Sequence, residues 1–312
     1  MSDVLKSGPD VLKSVLVVAN PAAGSCTPDA VEKTVGLLSK AAATVELRLT
    51  AGPDHARTLA REAVSAGAAD TVVAIGGDGT AHEVMTGLMD AGGDAALLAL
   101  PFGTGNSFYR AIWSDRPWRA ALDAVLATPY VRRIDLAAVA ETGGLALLGA
   151  SSGLAAQTLV TAREVAGTGR DRYQEAVTRA VADGFRPYPG RVTVDGVEVH
   201  RGPTVCANVG GGRHRAGRFL LLPHSALDDG LLDVCVAGPG LPLPELLQLA
   251  RDGAHVGRKG VVYARGRRIV VERTDGRPVL FEYDGDLAPK AASRYTLDVV
   301  PRALTVLAPP RS

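Results

Sequence analysis

Two glycine-rich turns and a few carboxylates are the residues in this chain whose types and spacing suit phosphoryl transfer. That chemistry needs a cradle for phosphate oxygens, a carboxylate to hold a metal ion, and a base to take the acceptor's proton. Gly76-Gly77-Asp78-Gly79-Thr80 leaves the apolar run Thr71-Val72-Val73-Ala74-Ile75, and Gly103-Thr104-Gly105-Asn106 leaves Leu97-Leu98-Ala99-Leu100-Pro101. Glycine lets backbone N–H groups approach phosphate without a Cβ in the way, and Asp78 adds a carboxylate able to hold Mg²⁺. Asn20, ending an earlier apolar run, joins the cradle. A single Gly-Gly-Asp-Gly turn is common, but two glycine turns about one βαβ half-unit apart read as a polyphosphate site. Asp284, in Glu282-Tyr283-Asp284-Gly285-Asp286, is the candidate base; on its letters alone the Asp-Gly pair reads equally as a hairpin turn. No Gly-x-x-x-x-Gly-Lys-Ser/Thr sequence and no His-Arg-Asp loop occurs, so neither a P-loop NTPase nor a protein kinase is supported. His55, His82, His200, His224 and His255 lack metal-ligand spacing.

The elements that must position these residues follow from the hydrophobic pattern. Ser14 to Ala19 is apolar without alternation, as a parallel strand covered on both faces should be. An amphipathic helix is predicted from about Pro28 to Ala42, a strand from Thr44 to Leu49, and a helix from Pro53 to Ala66 with Asp54 at its start. The strand before Gly76 and a helix after Thr80 complete a βαβαβ order, which predicts a mostly parallel sheet. Helices follow at Ser107 and at Trp118 to Ala127. From Val131 the texture changes to short β segments separated by Gly, Pro and Asp, including the hairpin signal Val194-Asp195-Gly196-Val197, with helices near Arg170 to Ala182 and Pro244 to Arg251. The expected domains are therefore 1–130, α/β, and 131–301, an antiparallel β-sandwich-rich body. Gly143 to Val160 is uncharged, yet its glycines and serines predict a pair of buried strands rather than a spanning helix.

Composition narrows the function classes. At 312 residues and 46% hydrophobic content the chain can fill two cores, and a net charge of +1 gives no electrostatic case for nucleic acid. Cys26, Cys206 and Cys235 form no C-x-x-C pair and are expected reduced, as in a cytoplasmic protein. The charged residues among Met1 to Ser14 are not those of a secretory signal.

Asn20-Pro21-Ala22-Ala23-Gly24, Gly76-Gly77-Asp78-Gly79-Thr80 followed by Glu83-Val84, and Pro101-Phe102-Gly103-Thr104-Gly105-Asn106 resemble, in order and spacing, the signatures of the diacylglycerol kinase catalytic-domain family, which includes bacterial lipid kinases and sphingosine kinases. The resemblance implies an NAD kinase/diacylglycerol kinase-like α/β domain, completed by 302–312, and an ATP-dependent lipid kinase working in an interdomain cleft. It implies that Asn20, Pro21, Gly24, Gly76, Gly77, Asp78, Gly79, Thr80, Glu83, Gly103, Thr104, Gly105 and Asn106 serve the nucleotide. Asp284 would be the general base, with Asp286 where glutamate is usual, and Asp78 the Mg²⁺ ligand. In Ala226 to Asp233, Asp228 and Asp229 match the family's structural divalent-ion motif; a plain turn is the other reading. Ala216 to Pro223 resembles Gly-Gly-Gly-Phe-x-x-x-Pro with Arg218 for a glycine, and Arg213-His214-Arg215 before it reads as an exposed loop, with contact to ATP or an anionic head group as the other reading. Ser107 stands where many relatives carry a metal-binding Asp, and Thr86 where Asn is frequent. The partners implied are a lipid and no nucleic acid, with peripheral membrane contact and a homodimer left open. A kinase of a soluble alcohol and a non-catalytic nucleotide-binding protein are the alternatives. NAD kinases and phosphofructokinases share the Gly-Gly-Asp-Gly turn, but their further signatures are not seen.

Overall fold

A computed structural model describes residues 8–92, 94–167, 169–216 and 219–310. Gly217 and Arg218, the departure noted in the Gly-Gly-Gly-Phe-like stretch, lie outside the described residues. The chain forms two units, Met1–Ile134 with Arg302–Ser312, and Asp135–Pro301.

The first unit contains β1 (Ser14–Ala19), α1 (Pro28–Leu38), β2 (Thr44–Leu49), α2 (His55–Ser65), β3 (Thr71–Gly76), α3 (Asp78–Asp90), β4 (Ala96–Pro101), α4 (Ser107–Trp113) and α5 (Trp118–Ala127). The strands lie in the order β2, β1, β3, β4, all parallel. Strand β3 is buried along its whole length and β1 almost so, which is why their sequences are unbroken aliphatic runs. Thr27 caps α1 by accepting the Ala30 N–H, and Pro28 fills its first turn, where a missing N–H costs nothing. That helix stops at Leu38, short of the expected Ala42. Trp113 is buried, and the Trp118 ring packs on Phe102 with centroids 5.3 Å apart, so both tryptophans are packing residues.

The second unit contains β5 (Val131–Val139), which enters it from the first, β6 (Gly144–Ala146), β7 (Ala150–Gly153), α6 (Leu154–Ala162), α7 (Gly169–Ala182), β8 (Tyr188–Val194), β9 (Val197–Thr204), β10 (Cys206–Gly210), β11 (His214–Arg215), β12 (Phe219–Leu220), β13 (Leu232–Ala237), α8 (Leu243–Leu249), β14 (Val261–Gly266), β15 (Arg268–Arg273), β16 (Phe281–Tyr283), β17 (Asp286–Leu287) and β18 (Arg294–Leu307). One antiparallel sheet runs β14-β13-β10-β7-β16-β17. A second face is built by β9, β8, β15 and the first half of β18. Val192, Ile269, Val271 and Leu297 of one face meet Ala207, Val209, Val234 and Phe281 of the other, and the Phe281 and Tyr295 rings stack at 4.1 Å. This is the expected sandwich. Asp195 and Gly196 both have positive φ, 49° and 84°, so the β8–β9 hairpin closes through a turn whose twist matches its strands.

The last residues of β18 return to the first unit, where Val306 pairs parallel with Leu97 of β4. Two further departures from expectation stand out. Gly143 to Val160 holds short strands β6 and β7, but from Leu154 it is helix α6, because Gly153 at φ 68° turns the chain off the sheet. Strand β14, half-buried at a sheet edge, has a weaker pattern than its neighbours and is absent from the sequence reading.

Candidate active site

In the first unit the two glycine turns lie back to back. A Cβ on Gly103 would stand 2.2 Å from the Gly77 Cα, and one on Gly77 would stand 3.1 Å from the Gly103 Cα. Neither position tolerates a side chain unless the backbone of the other turn moves. Gly76 is closed for a different reason: its Cβ would fall 2.3 Å from the Thr80 hydroxyl, which is tucked against the strand end. The Asn20 amide donates to that hydroxyl at 3.2 Å, and its side-chain oxygen accepts the Ala22 N–H at 3.0 Å. Pro21 is exposed and Gly24 lies in the turn that follows. A Cβ on Gly79 or on Gly24 would meet nothing within 4 Å. Glycines that pack and glycines that leave backbone open thus stand side by side.

Helix α3 starts at Asp78 after Gly77, a residue that brings no side chain to cap it. The first-turn N–H groups and partial positive charge of a helix start are what an anion site uses. Asp78 looks across to α4: one carboxylate oxygen accepts the Ser107 N–H at 2.9 Å, and the other accepts the Phe108 N–H at 2.9 Å. Asn106, in the left-handed region at φ 53°, accepts the Gly103 N–H through its side chain at 2.9 Å and donates to the Gly103 and Pro101 carbonyls. Thr104 is exposed at the tip, beside Gly105, and Ser107 is buried. Glu83 belongs to this helix but serves a neighbour, accepting the Ala56 N–H at the start of α2. Thr86 bonds the His82 carbonyl one turn back.

In the second unit Asp284 adopts φ 51° and its carboxylate accepts three consecutive backbone N–H groups, from Leu147 at 2.5 Å, Leu148 at 2.8 Å and Gly149 at 3.1 Å. The Asp284 N–H returns a bond to the Gly149 carbonyl. A carboxylate is an acceptor only, so this clasp fixes its orientation. Gly149 is obligatory, since a Cβ there would lie 2.0 Å from the Val209 carbonyl oxygen. Arg215 donates to the carbonyls of Leu148 and Val209, so the basic stretch read as an exposed loop turns this arginine inward. Glu282 is buried beneath the turn and accepts the Gly285 N–H at 2.9 Å. Burial pushes its carboxyl up to about 7, against the opposing pull of Arg215. Glu282 is the site residue that sequence reasoning passed over, with no motif or spacing of its own to reveal it, whereas Arg215 was singled out but for a different place. Asp286 is exposed on β17.

The acidic turn before β13 is neutralised from within the chain. Arg265 pairs with Asp229, whose other oxygen accepts the Leu231 N–H, and with Asp233 at 3.3 Å. Tyr263 donates to Asp233, whose carboxyl is raised mainly by desolvation. Asp228 lies beside them in the turn, half-buried. A guanidinium thus stands next to Asp229, one of the two residues expected to hold a divalent ion. Asp78 spends one lone pair of each carboxylate oxygen on the α4 N–H groups and keeps the others; Mg²⁺ takes one or two protein carboxylates, with the rest of its shell from phosphates and water. No set of three or more His, Cys, Asp or Glu groups suited to a metal is found among the described residues.

An α/β unit with a Gly-Gly-Asp-Gly cradle at the carboxyl ends of parallel strands, in one chain with an antiparallel sandwich, defines the diacylglycerol kinase-like fold class. Residues 14–139 match the diacylglycerol kinase catalytic domain, and 149–308 match the YegS C-terminal NAD kinase beta sandwich-like domain. A Pseudomonas aeruginosa (strain UCBPP-PA14) protein described as "Probable lipid kinase YegS-like" is 32% identical over 311 residues, covering 95% of this chain and 94% of the relative. A Pseudomonas fluorescens (strain Pf-5) protein of the same description is 31% identical over 81% of this chain and 82% of its own length. A diacylglycerol kinase crystal structure from Bacillus anthracis str. Sterne shares the fold at TM-score 0.72 and 20% identity, covering 96% of this chain and 97% of its own. The chain belongs to the diacylglycerol kinase catalytic-domain family, in its YegS-like form.

Proposed function

We propose that this protein is an ATP-dependent lipid kinase that transfers the γ-phosphoryl group to a lipid hydroxyl. The observation that carries this reading is the pair of abutting glycine turns, one of them leading straight into the start of α3, a cradle of backbone donors and open glycine that suits a triphosphate. Asn20, Pro21, Gly24, Gly76, Gly77, Gly79, Thr80, Gly103, Thr104, Gly105 and Asn106 hold the nucleotide in this proposal, with Glu83 supporting the fold of α2 against the same helix. Asp78 holds Mg²⁺, which supplies charge neutralisation on the phosphates when bound. Asp284 takes the proton of the acceptor hydroxyl; its clasp keeps an acceptor-only carboxylate in one orientation, as a general base needs. The lipid acceptor follows from the relatives' description, and in this proposal it is met at a membrane surface. No helix among the described residues is long and apolar enough to cross a membrane.

The deciding experiment incubates the protein with [γ-³²P]ATP, Mg²⁺ and a total lipid extract, with soluble alcohols in parallel. Label in the organic phase, absent without Mg²⁺, supports the proposal. Label only in a soluble acceptor moves the assignment to a kinase of small alcohols, and nucleotide binding without transfer to any acceptor leaves a nucleotide-binding protein.

A further inference from the structure

Strand β2 ends the parallel sheet of the first unit, and among the described residues no strand pairs with its outer edge. Such an edge presents a row of unpaired N–H and C=O groups, which proteins usually guard with proline, a bulge or a cover. Here the register against β1 is unbroken over all six residues, and the strand has no proline. Its apolar side chains are also left out: Leu47 is 40% exposed and Leu49 55% exposed. On the opposite face Glu46 and Arg48 pair with each other in solvent.

The segment Thr44-Val45-Glu46-Leu47-Arg48-Leu49-Thr50 is complementary to itself when read backwards. In an antiparallel pairing centred on Leu47, Thr44 faces Thr50, Val45 faces Leu49, and Glu46 faces Arg48 of the other copy. We propose that β2 is a homodimer interface, in which the β2 edges of two copies join across a two-fold axis into one continuous sheet. The two-fold is the commonest protein symmetry, and a self-complementary strand is what its isologous contact demands. One face of the joined strands gathers Val45, Leu47 and Leu49 from both copies into an apolar patch. The other exchanges each exposed Glu46–Arg48 contact within a chain for the same contact between chains, at little cost, since an exposed ion pair contributes about 0–1 kcal/mol. A parallel pairing with a foreign strand would use the backbone edge but not this charge order, so the occupant is a second copy.

The test uses the full chain and two charge reversals, Glu46→Arg and Arg48→Glu, at side chains that are mostly exposed and lie outside the catalytic and nucleotide-binding residues. Each variant alone sets like charges opposite each other twice per dimer, and self-association should weaken about 10-fold or more. Light scattering after size exclusion should give twice the chain mass for the wild type and the chain mass for each variant at the same concentration. Mixing the two variants sets the two arginines of one chain opposite the two glutamates of the other, and should restore twice the chain mass. Circular dichroism matching the wild type shows that the variants fold. A monomeric wild type, variants that stay dimeric, or a mixture that stays monomeric would each overturn the proposal.

Discussion

The glycine turns of the first unit and the Asp284 turn of the second present charge to solvent by opposite means. Between β3 and α4 the backbone itself is the functional surface, and side chains are excluded by contacts such as Gly77 against Gly103. Around Asp284 the backbone is spent on holding one carboxylate, with Leu147, Leu148 and Gly149 donating to it and Arg215 and Glu282 bracing the loop and turn. A cradle made of main chain is specified by the absence of side chains. A poised carboxylate is specified by neighbours far away in the chain. The first kind of site should therefore fail by steric intrusion and the second by loss of a single functional group.

The largest effect expected is at Asp284. Asp284→Asn keeps the side chain's size and an oxygen for the Leu148 and Gly149 N–H groups, gives up the bond from Leu147 and removes the base, so turnover should fall by roughly 10²-fold or more while ATP affinity stays near wild type; single-turnover rates and equilibrium nucleotide binding check both halves. Full turnover in this variant would make the residue a structural clasp alone. Gly103→Ala tests the cradle. Its methyl must displace the Gly77 backbone, at about 1–3 kcal/mol of stability and with loss of nucleotide affinity. Gly79→Ala has open space and should fold like the wild type while weakening nucleotide binding, a contrast measurable by melting and by titration with ATP.

A smaller effect falls on the acidic turn. Arg265→Gln leaves the buried Asp233 with Tyr263 but without its cation, and should cost about 1–2 kcal/mol, since Arg265 itself is partly exposed. Chelation of divalent ions should leave the melting temperature of the nucleotide-free wild type unchanged. The last effect is a pH dependence at Glu282. Burial raises its carboxyl from 4.5 to about 7, so the folded protein holds the proton more tightly than the unfolded chain. The stability this proton confers is complete below about pH 4.5 and is lost as pH rises through about 7. Glu282→Gln, neutral throughout, should melt above the wild type at alkaline pH and converge with it near the acid end of that window.

How much could be read from the letters follows the same division. The parallel strands were legible because burial on both faces leaves continuous aliphatic runs such as Val15 to Ala19. The glycine turns were legible because glycine there has no substitute. Helix α6 was not, since its residues are apolar around most of the helix and a short run of that kind has no period to read. The pairing of Asp229 was equally hidden: its partner Arg265 sits on β14, a strand whose own pattern is weak. Glu282 looked like an ordinary strand residue, and only the packing of β16 against β7 places it under the turn.

The closing stretch of β18 has a consequence for how the protein is made. Val306 lies beside Leu97, so the sheet that carries the glycine turns gains this strand only after nearly the whole chain has left the ribosome. Until then β4 offers a bare apolar edge, the kind that recruits strands from other nascent chains. Loss of the final dozen residues, none of which belongs to the proposed active site, would thus be expected to surface first as insolubility.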